Sequence, residues 1–253
     1  MAESGGVKSI VKALNIIEEL AKNGPMSISA LSANLDMDKA TVHRIVNTVR
    51  EEGFITQDPK SKKYENGIKL FEIGQGVIDK IGLNTIARPY IESLANATGE
   101  SVSLALIKED KIVIIDKIES NSTIRVGINI GAALPIYCTG LGKAVLANIS
   151  EEERSEILKN MKFEPLTENT LTSCGALMPH LEEIKEQGYS MDNEEYVRGL
   201  ICFGAPIFDH RRGAVAAVSI SLPSLRYRTE YKAEYPELVK GAATEISRHI
   251  GGR

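Results

Sequence analysis

Apolar residues return at three- and four-residue intervals from the start of the chain: Val7, Ile10, Val11, Leu14, Ile17 and Ala21 mark one face of a first helix, which Asn23-Gly24-Pro25 stops. Ile28, Leu31 and Leu35 give a second, short helix with Ser27 or Ser29 as its N-cap, and Asp36-Met37-Asp38 breaks it. Asp38 then caps a third helix that buries Val42, Ile45, Val46 and Val49 and ends at Gly53. Phe54 to Gln57 reads as a strand, Asp58 to Ser61 as a turn, and Lys62 to Glu65 as a returning strand closed by Asn66-Gly67. Three helices, the last two joined by a tight turn, followed by a hairpin with a basic tip, predict a winged helix-turn-helix whose third helix fits a major groove.

Leu70, Ile73, Val77 and Ile81 carry helical spacing onward as a linker helix, and beyond it the pattern changes. A helix at about Asn84 to Ala97 precedes strands at Val102 to Ile107, Ile112 to Ile118 and Ile124 to Ile128. Helices follow at Gly142 to Ala147, after the capping box Ser150-x-x-Glu153, and at Pro179 to Gln187. Strands Leu200 to Phe208 and Ala214 to Leu222 form a late hairpin before a final helix from Pro236 to Ile250. The fold class predicted is α+β: residues 1–68 a DNA-binding domain, 69–82 a linker helix and 83–253 a second, mixed domain.

Composition narrows the function. The 253 residues are 43% hydrophobic and 25% charged, values of an ordinary globular chain rather than a disordered or fibrous one. No apolar run is long enough for a membrane span and Met1 to Gly6 lacks a signal-peptide pattern, so a soluble cytoplasmic protein without a membrane partner is expected. Cys138, Cys174 and Cys202 lie far apart, which supports neither a disulfide framework nor a zinc ribbon, and no metal or cofactor is expected. The net charge of -4 does not advertise a nucleic-acid binder, but Lys39 to Lys63 holds six basic residues against three acidic ones. On the third helix Lys39, Ala40, Thr41, His43, Arg44 and Asn47 offer contacts to phosphates and base edges, and Lys60, Lys62 and Lys63 at the wing tip are either phosphate or minor-groove contacts or a solvated surface.

Further motifs mark the second domain. Gly140-Leu141-Gly142-Lys143 lacks the flanking residues of a nucleotide loop, with Tyr137 and Ala144 at the deciding positions. Its glycines allow either a backbone approach to an anionic ligand at a helix N-terminus or tight loop packing. Strand alternation sets Val215, Ala217, Ser219 and Ser221 on one face, small and partly polar, suited to a ligand or to a closely packed helix. No catalytic motif is present, the four histidines are scattered, and no catalytic residue is assigned. The alternatives are a ligand-binding or protein-interaction module that binds no DNA and, least favoured, an enzyme using Cys202.

The motifs Ala40-Thr41-Val42-His43-Arg44, Glu52-Gly53-Phe54, Tyr64-Glu65-Asn66-Gly67, Leu134-Pro135 through Gly142-Lys143-Ala144, and Asp192-Asn193-Glu194-Glu195 through Gly199, Cys202, Ala205 and Pro206 stand in one order along the chain. In these the chain resembles the IclR family of bacterial transcriptional regulators. The resemblance implies a GAF-like effector-binding domain, a double-stranded DNA operator, a small-molecule effector, and a homodimer or homotetramer acting as repressor or activator. By resemblance Gly140, Leu141, Asp192, Cys202, Ser219 and Ser221 match effector contacts, with Val126 and Thr123 matching less closely. Glu194 and Glu195 support either structure or subunit contacts. Gly204 and Leu222 depart from the family pattern, and Leu222 is expected to reshape one wall of the pocket.

Overall fold

The computed structural model describes residues 7–74, 82–123, 127–210 and 213–252, and the chain divides into two compact units between residues 80 and 81. The first holds α1 (Lys8–Asn23), α2 (Ile28–Asn34), α3 (Lys39–Glu51), β1 (Ile55–Gln57) and β2 (Tyr64–Asn66). The caps follow from short polar side chains: Ser27 Oγ accepts from the Ala30 amide at 3.2 Å and Asp38 Oδ1 from the Thr41 amide at 2.8 Å. Asp36 takes a positive φ of 48° and turns the chain between α2 and α3. Ile16, Leu20, Leu31, Val42, Ile45, Val46, Ile55 and Tyr64 form the core.

Of the stripe read on α1 only Ile17 packs against the core. Ile16 and Leu20 are buried, whereas Val7, Ile10, Val11 and Leu14 are 61, 57, 49 and 53% exposed. The helix is apolar on two faces, and spacing alone finds a face without saying what covers it. The returning wing strand also begins later than expected. Asp58 Oδ1 accepts from the Lys60 and Ser61 amides at 3.1 and 2.6 Å and Lys62 adopts a φ of 58°, which keeps Lys62 and Lys63 in the turn.

The wing is anchored at its base. Met26 and Tyr64 exchange two backbone hydrogen bonds of 2.9 and 2.7 Å, and Asn66 Nδ2 donates to the Ile17 carbonyl at 3.0 Å. A Cβ on Gly67 would lie 2.4 Å from the Gly53 carbonyl oxygen, so the two glycine motifs flanking the wing are one close backbone contact. Residues 69–74 are helical; residues 75–81, where the linker helix was expected to continue, lie outside the described residues.

The second unit runs α4 (Leu83–Thr98), β3 (Ser101–Lys108), β4 (Lys111–Ile118), β5 (Ala133–Pro135), α5 (Gly140–Asn148), α6 (Glu151–Lys159), α7 (Cys174–Gln187), β6 (Ser190–Asn193), β7 (Leu200–Phe208), β8 (Ala214–Pro223) and α8 (Tyr231–His249), with a single 3-10 turn at Ser224–Arg226. The six strands form an antiparallel sheet in the order β5-β4-β3-β8-β7-β6. Alternation sends Val102, Leu104, Ile201, Phe203, Val218, Ile220 and Leu222 to one face, against Ile91 of α4 and Val239 of α8. On the other face Ala105 and Ala217 leave room for Leu141, Ala144 and Val145 of α5. The capping box at Ser150 and Glu153 is present as read.

Two strand expectations need correction. Of Ile124 to Ile128, residues 124–126 lie outside the described residues and Gly127 and Ile128 belong to no strand; β5 pairs with β4 instead. Leu222 is fully buried on the α4 and α8 side and does not shape the opposite, serine-bearing face.

Candidate nucleic-acid interface and effector cavity

On α3 the apolar residues Val42, Ile45 and Val46 turn inward, and Lys39, Ala40, His43 and Arg44 are exposed with Asn47 half-buried beside them. Ala40, His43, Arg44 and Asn47 follow helical spacing and form one outward stripe, in which Asn47 Nδ2 lies 3.2 Å from His43 Nδ1. Thr41 is half-buried and donates to the N-cap: hydrogen bonds from its hydroxyl and amide hold the Asp38 carboxyl below its usual range. Lys60, Lys62 and Lys63 are exposed on the wing turn. Arg50 and Gln57 were not singled out from sequence, yet they bridge helix and wing. Arg50 Nη1 donates to Gln57 Oε1 at 3.3 Å, and Gln57 Nε2 donates to the Lys62 carbonyl at 2.9 Å.

In the second unit, strand register aligns two short rows across β6, β7, β8 and β3. One row is Asp192, Cys202, Ser221 and Ser101; the next is Ser190, Gly204, Ser219 and Ser103. Small and polar side chains in both rows let the N-terminus of α5 approach the sheet. A Cβ on Gly204 would lie 2.5 Å from the Gly140 carbonyl oxygen, and one on Gly142 would lie 2.2 Å from that of Ile136. Thr139 caps α5 by accepting from the Gly142 amide at 3.1 Å, while the Gly140 and Leu141 amides have no intrahelical acceptor.

Between α5 and these rows lies a cavity of about 20 Å³ lined by Ser103, Ile114, Ile128, Leu134, Thr139, Gly140, Leu141, Asp192, Tyr196, Leu200, Cys202, Ser219 and Ser221. That is the space of about one water molecule. Six of the eight residues matched to effector contacts, Gly140, Leu141, Asp192, Cys202, Ser219 and Ser221, thus meet at one cavity, built from α5, β6, β7 and β8. Val126 lies outside the described residues, and Thr123 is exposed and is not in the lining. Ser103 was missed although the alternation of its strand is legible; only pairing with Ser219 reveals that the two share a face.

The electrostatics centre on two buried carboxyl groups and one buried ammonium. Lys143, 1% exposed, ion-pairs with Glu195 and donates to the Met191 carbonyl at 2.7 Å, which ends any reading of it as a phosphate ligand. Asp192, also 1% exposed, accepts through Oδ1 from the Glu195 and Tyr196 amides at 2.7 and 3.4 Å. Burial is the main cause that lifts its carboxyl to about 7, with Glu195 adding repulsion. Burial likewise pushes the Cys138 thiol up to about 12 and the Cys202 thiol higher still, so Cys202, which accepts from Ser221 Oγ at 3.2 Å, is a neutral small hydrophobe rather than a thiolate nucleophile. Glu194 Oε2 accepts from the Gly199 amide at 2.6 Å and closes the turn beside the cavity.

The comparisons with known proteins agree with this geometry. Residues 9–59 match the IclR helix-turn-helix domain family, and residues 75–248 match the family described as bacterial transcriptional regulator IclR C-terminal. The chain is 36% identical over 245 residues to the HTH-type transcriptional regulator KdgR of Escherichia coli strain K12, covering 97% of this chain and 93% of that protein. It is 35% identical to KdgR of Dickeya chrysanthemi, covering 97% of this chain and 80% of the relative. The crystal structure of Thermotoga maritima IclR superposes with a TM-score of 0.80 at 35% identity, covering 96% of this chain and 99% of that one. The chain belongs to the IclR family of bacterial transcriptional regulators, with an N-terminal helix-turn-helix DNA-binding domain and a C-terminal effector-binding domain.

Proposed function

We propose that the chain binds its operator as a symmetric oligomer, at least a dimer, and that a small carboxylate seated in the cavity between α5 and the sheet modulates this binding. Residues 1–68 read DNA, 69–82 transmit, and 83–253 bind the effector. The observation that carries the effector half is the convergence of the first α5 amides, the Ser219 and Ser221 hydroxyls and Asp192 on one cavity, among apolar residues such as Ile114, Leu134 and Leu200. Amides at a helix N-terminus favour an anion, and hydroxyls fix its orientation. The cavity's size requires that its walls move apart when an effector enters, a displacement available for transmission.

On the DNA side Ala40, His43, Arg44 and Asn47 face base edges while Lys39, Lys60, Lys62 and Lys63 meet phosphates. Thr41 contributes through the helix cap. A second copy covers the outward face of α1: Ile10 and Leu14 line a groove with Ala13, Ile45 and Val49 that is apolar, exposed and next to Arg44. A two-fold assembly there pairs two recognition helices on adjacent half-sites. No catalytic step enters this reading, and no helix of the described residues is long and apolar enough to cross a membrane.

Fluorescence anisotropy of the full chain on a labelled operator fragment selected from genomic DNA by binding, with and without pyruvate, D-gluconate and other small carboxylates, tests the proposal. A carboxylate that changes DNA affinity supports it. DNA affinity untouched by every carboxylate, in a protein stabilised by none of them, contradicts it.

A further inference from the structure

The region behind the cavity holds an uneven set of charges. Asp192 and Glu195 are both buried carboxyl groups, and the one cation beside them among the described residues, Lys143, acts on both carboxyls but is hydrogen-bonded to Glu195 and to the Met191 carbonyl. Glu195 Oε2 is buried without a hydrogen-bond partner among the described residues. The Oδ1 atom of Asp192 is taken by two backbone amides, and its Oδ2 has no partner among the described residues although Asp192 lines the cavity. The other groups facing it among the described residues bring no charge. The thiols of Cys138 before α5 and Cys202 on β7 and the Tyr196 phenol are all pushed up and stay neutral at neutral pH, and Ser221 on β8 is a hydroxyl.

A carboxylate placed at the α5 amides would therefore stand beside a second carboxylate in a site removed from water. Two like charges so placed cannot both persist, and a proton resolves the conflict. We propose that the cavity takes up a carboxylate effector together with one proton from solvent, Asp192 changing from a hydrogen-bond acceptor to a neutral acid whose O–H donates to the effector. The inference rests on the reading of this cavity as the effector site. It makes Asp192 a specificity-determining residue of a particular kind: a ligand carboxylate is accepted together with a proton, and a neutral amide or ester in its place meets no like charge and requires no proton.

The direction with pH follows. Above about 7, where Asp192 is ionised in the free protein, each effector must bring a proton, and affinity falls with rising pH by about tenfold per unit. Below that range Asp192 is already neutral and affinity levels off. In Asp192→Asn the amide oxygen can keep the bonds from Glu195 and Tyr196 while the amide N–H supplies the donor without a proton.

Titration calorimetry of the full chain with pyruvate and with D-gluconate between pH 6 and 9, in buffers of differing ionisation enthalpy, tests the proposal. Uptake approaching one proton at pH 8 and vanishing near pH 6 is the expected result, with Asp192→Asn binding about tenfold more tightly than wild type at pH 8 and without a pH slope. Binding without proton uptake at pH 8 overturns the proposal and leaves the effector site standing, and so does an undiminished pH slope in Asp192→Asn. Binding of neither probe, nor of any other small carboxylate tried on DNA affinity, at any pH overturns the carboxylate reading and this proposal with it. The wild-type proton count decides the matter even where the variant fails to fold.

Discussion

Gly204 on β7 approaches Gly140 at the first turn of α5 so closely that a Cβ on Gly204 would lie 2.5 Å from the Gly140 carbonyl oxygen and 3.0 Å from Ser190 Oγ. Ser190 Oγ donates to that same carbonyl, so the helix start is pinned to the sheet by a hydrogen bond that only a glycine at 204 leaves room for. Gly204→Ala should lift α5 from the sheet and destabilise the domain by about 1 to 3 kcal/mol, the usual cost of an overpacked core. Urea denaturation measures this. Gly175→Ala, where nothing lies within 4 Å of an added Cβ, should be neutral or slightly stabilising.

On the DNA side, helix and wing should differ in kind. Arg44→Ala or Asn47→Ala should relax discrimination at one base position by about 1 to 3 kcal/mol where the contact is bidentate, and Lys62→Ala should weaken all sequences evenly and reduce the salt slope by about one. Affinity for specific and random duplexes across a salt series separates the two. A wing variant that altered sequence preference, beside an Arg44 variant that altered nothing, would reverse the assignment.

The outward face of α1 should hold the oligomer together. Ile10 and Leu14 are more than half exposed, so Ile10→Glu with Leu14→Glu should leave the first unit folded while breaking association through it. Ultracentrifugation and circular dichroism together check this: unchanged helicity with a lower assembly state and weaker operator binding is the expected outcome.

Legibility in the sequence varied with how local the cause was. The caps at Asp38 and Ser150, the limits of β7, and the turn at Asp58 rest on residues a few positions apart and were readable from spacing and side-chain chemistry. The apolar face read on α1 did not reveal whether it is covered, because an uncovered apolar face and a buried one share the same period. The short strand β6, Ser-Met-Asp-Asn, has no strand-like composition and exists because β7 offers it an edge, with Asp192 opposite Cys202. For the cavity, family resemblance named six residues, but neither Ser103 nor the pairing of Lys143 with Glu195 was visible, since each depends on contacts between strands and helices distant in the chain.

The buried Asp192 should also mark the protein's own stability. Its carboxyl is raised in the folded state from 3.8 to about 7, so the folded form holds this proton more tightly than the unfolded one, and the contribution to stability declines as pH rises between those values. Asp192→Asn removes that decline. Thermal unfolding from pH 5 to 8 should show the variant gaining on wild type as pH increases; parallel curves would mean that Asp192 does not titrate in this range.

Coupling between the cavity and the operator is the central property proposed for this protein. Its most direct test is the affinity of the full chain for its selected operator fragment, measured with and without a carboxylate that binds, in wild type and in Ser221→Val, together with the affinity for that carboxylate with and without DNA. The account predicts that effector and DNA change one another's affinity by the same factor, typically about 5- to 150-fold, and that Ser221→Val abolishes the effector's influence while DNA binding without effector stays near wild type. An effector that binds Ser221→Val as tightly as wild type and still shifts its DNA affinity would contradict it, placing the controlling site away from the cavity between α5 and the sheet.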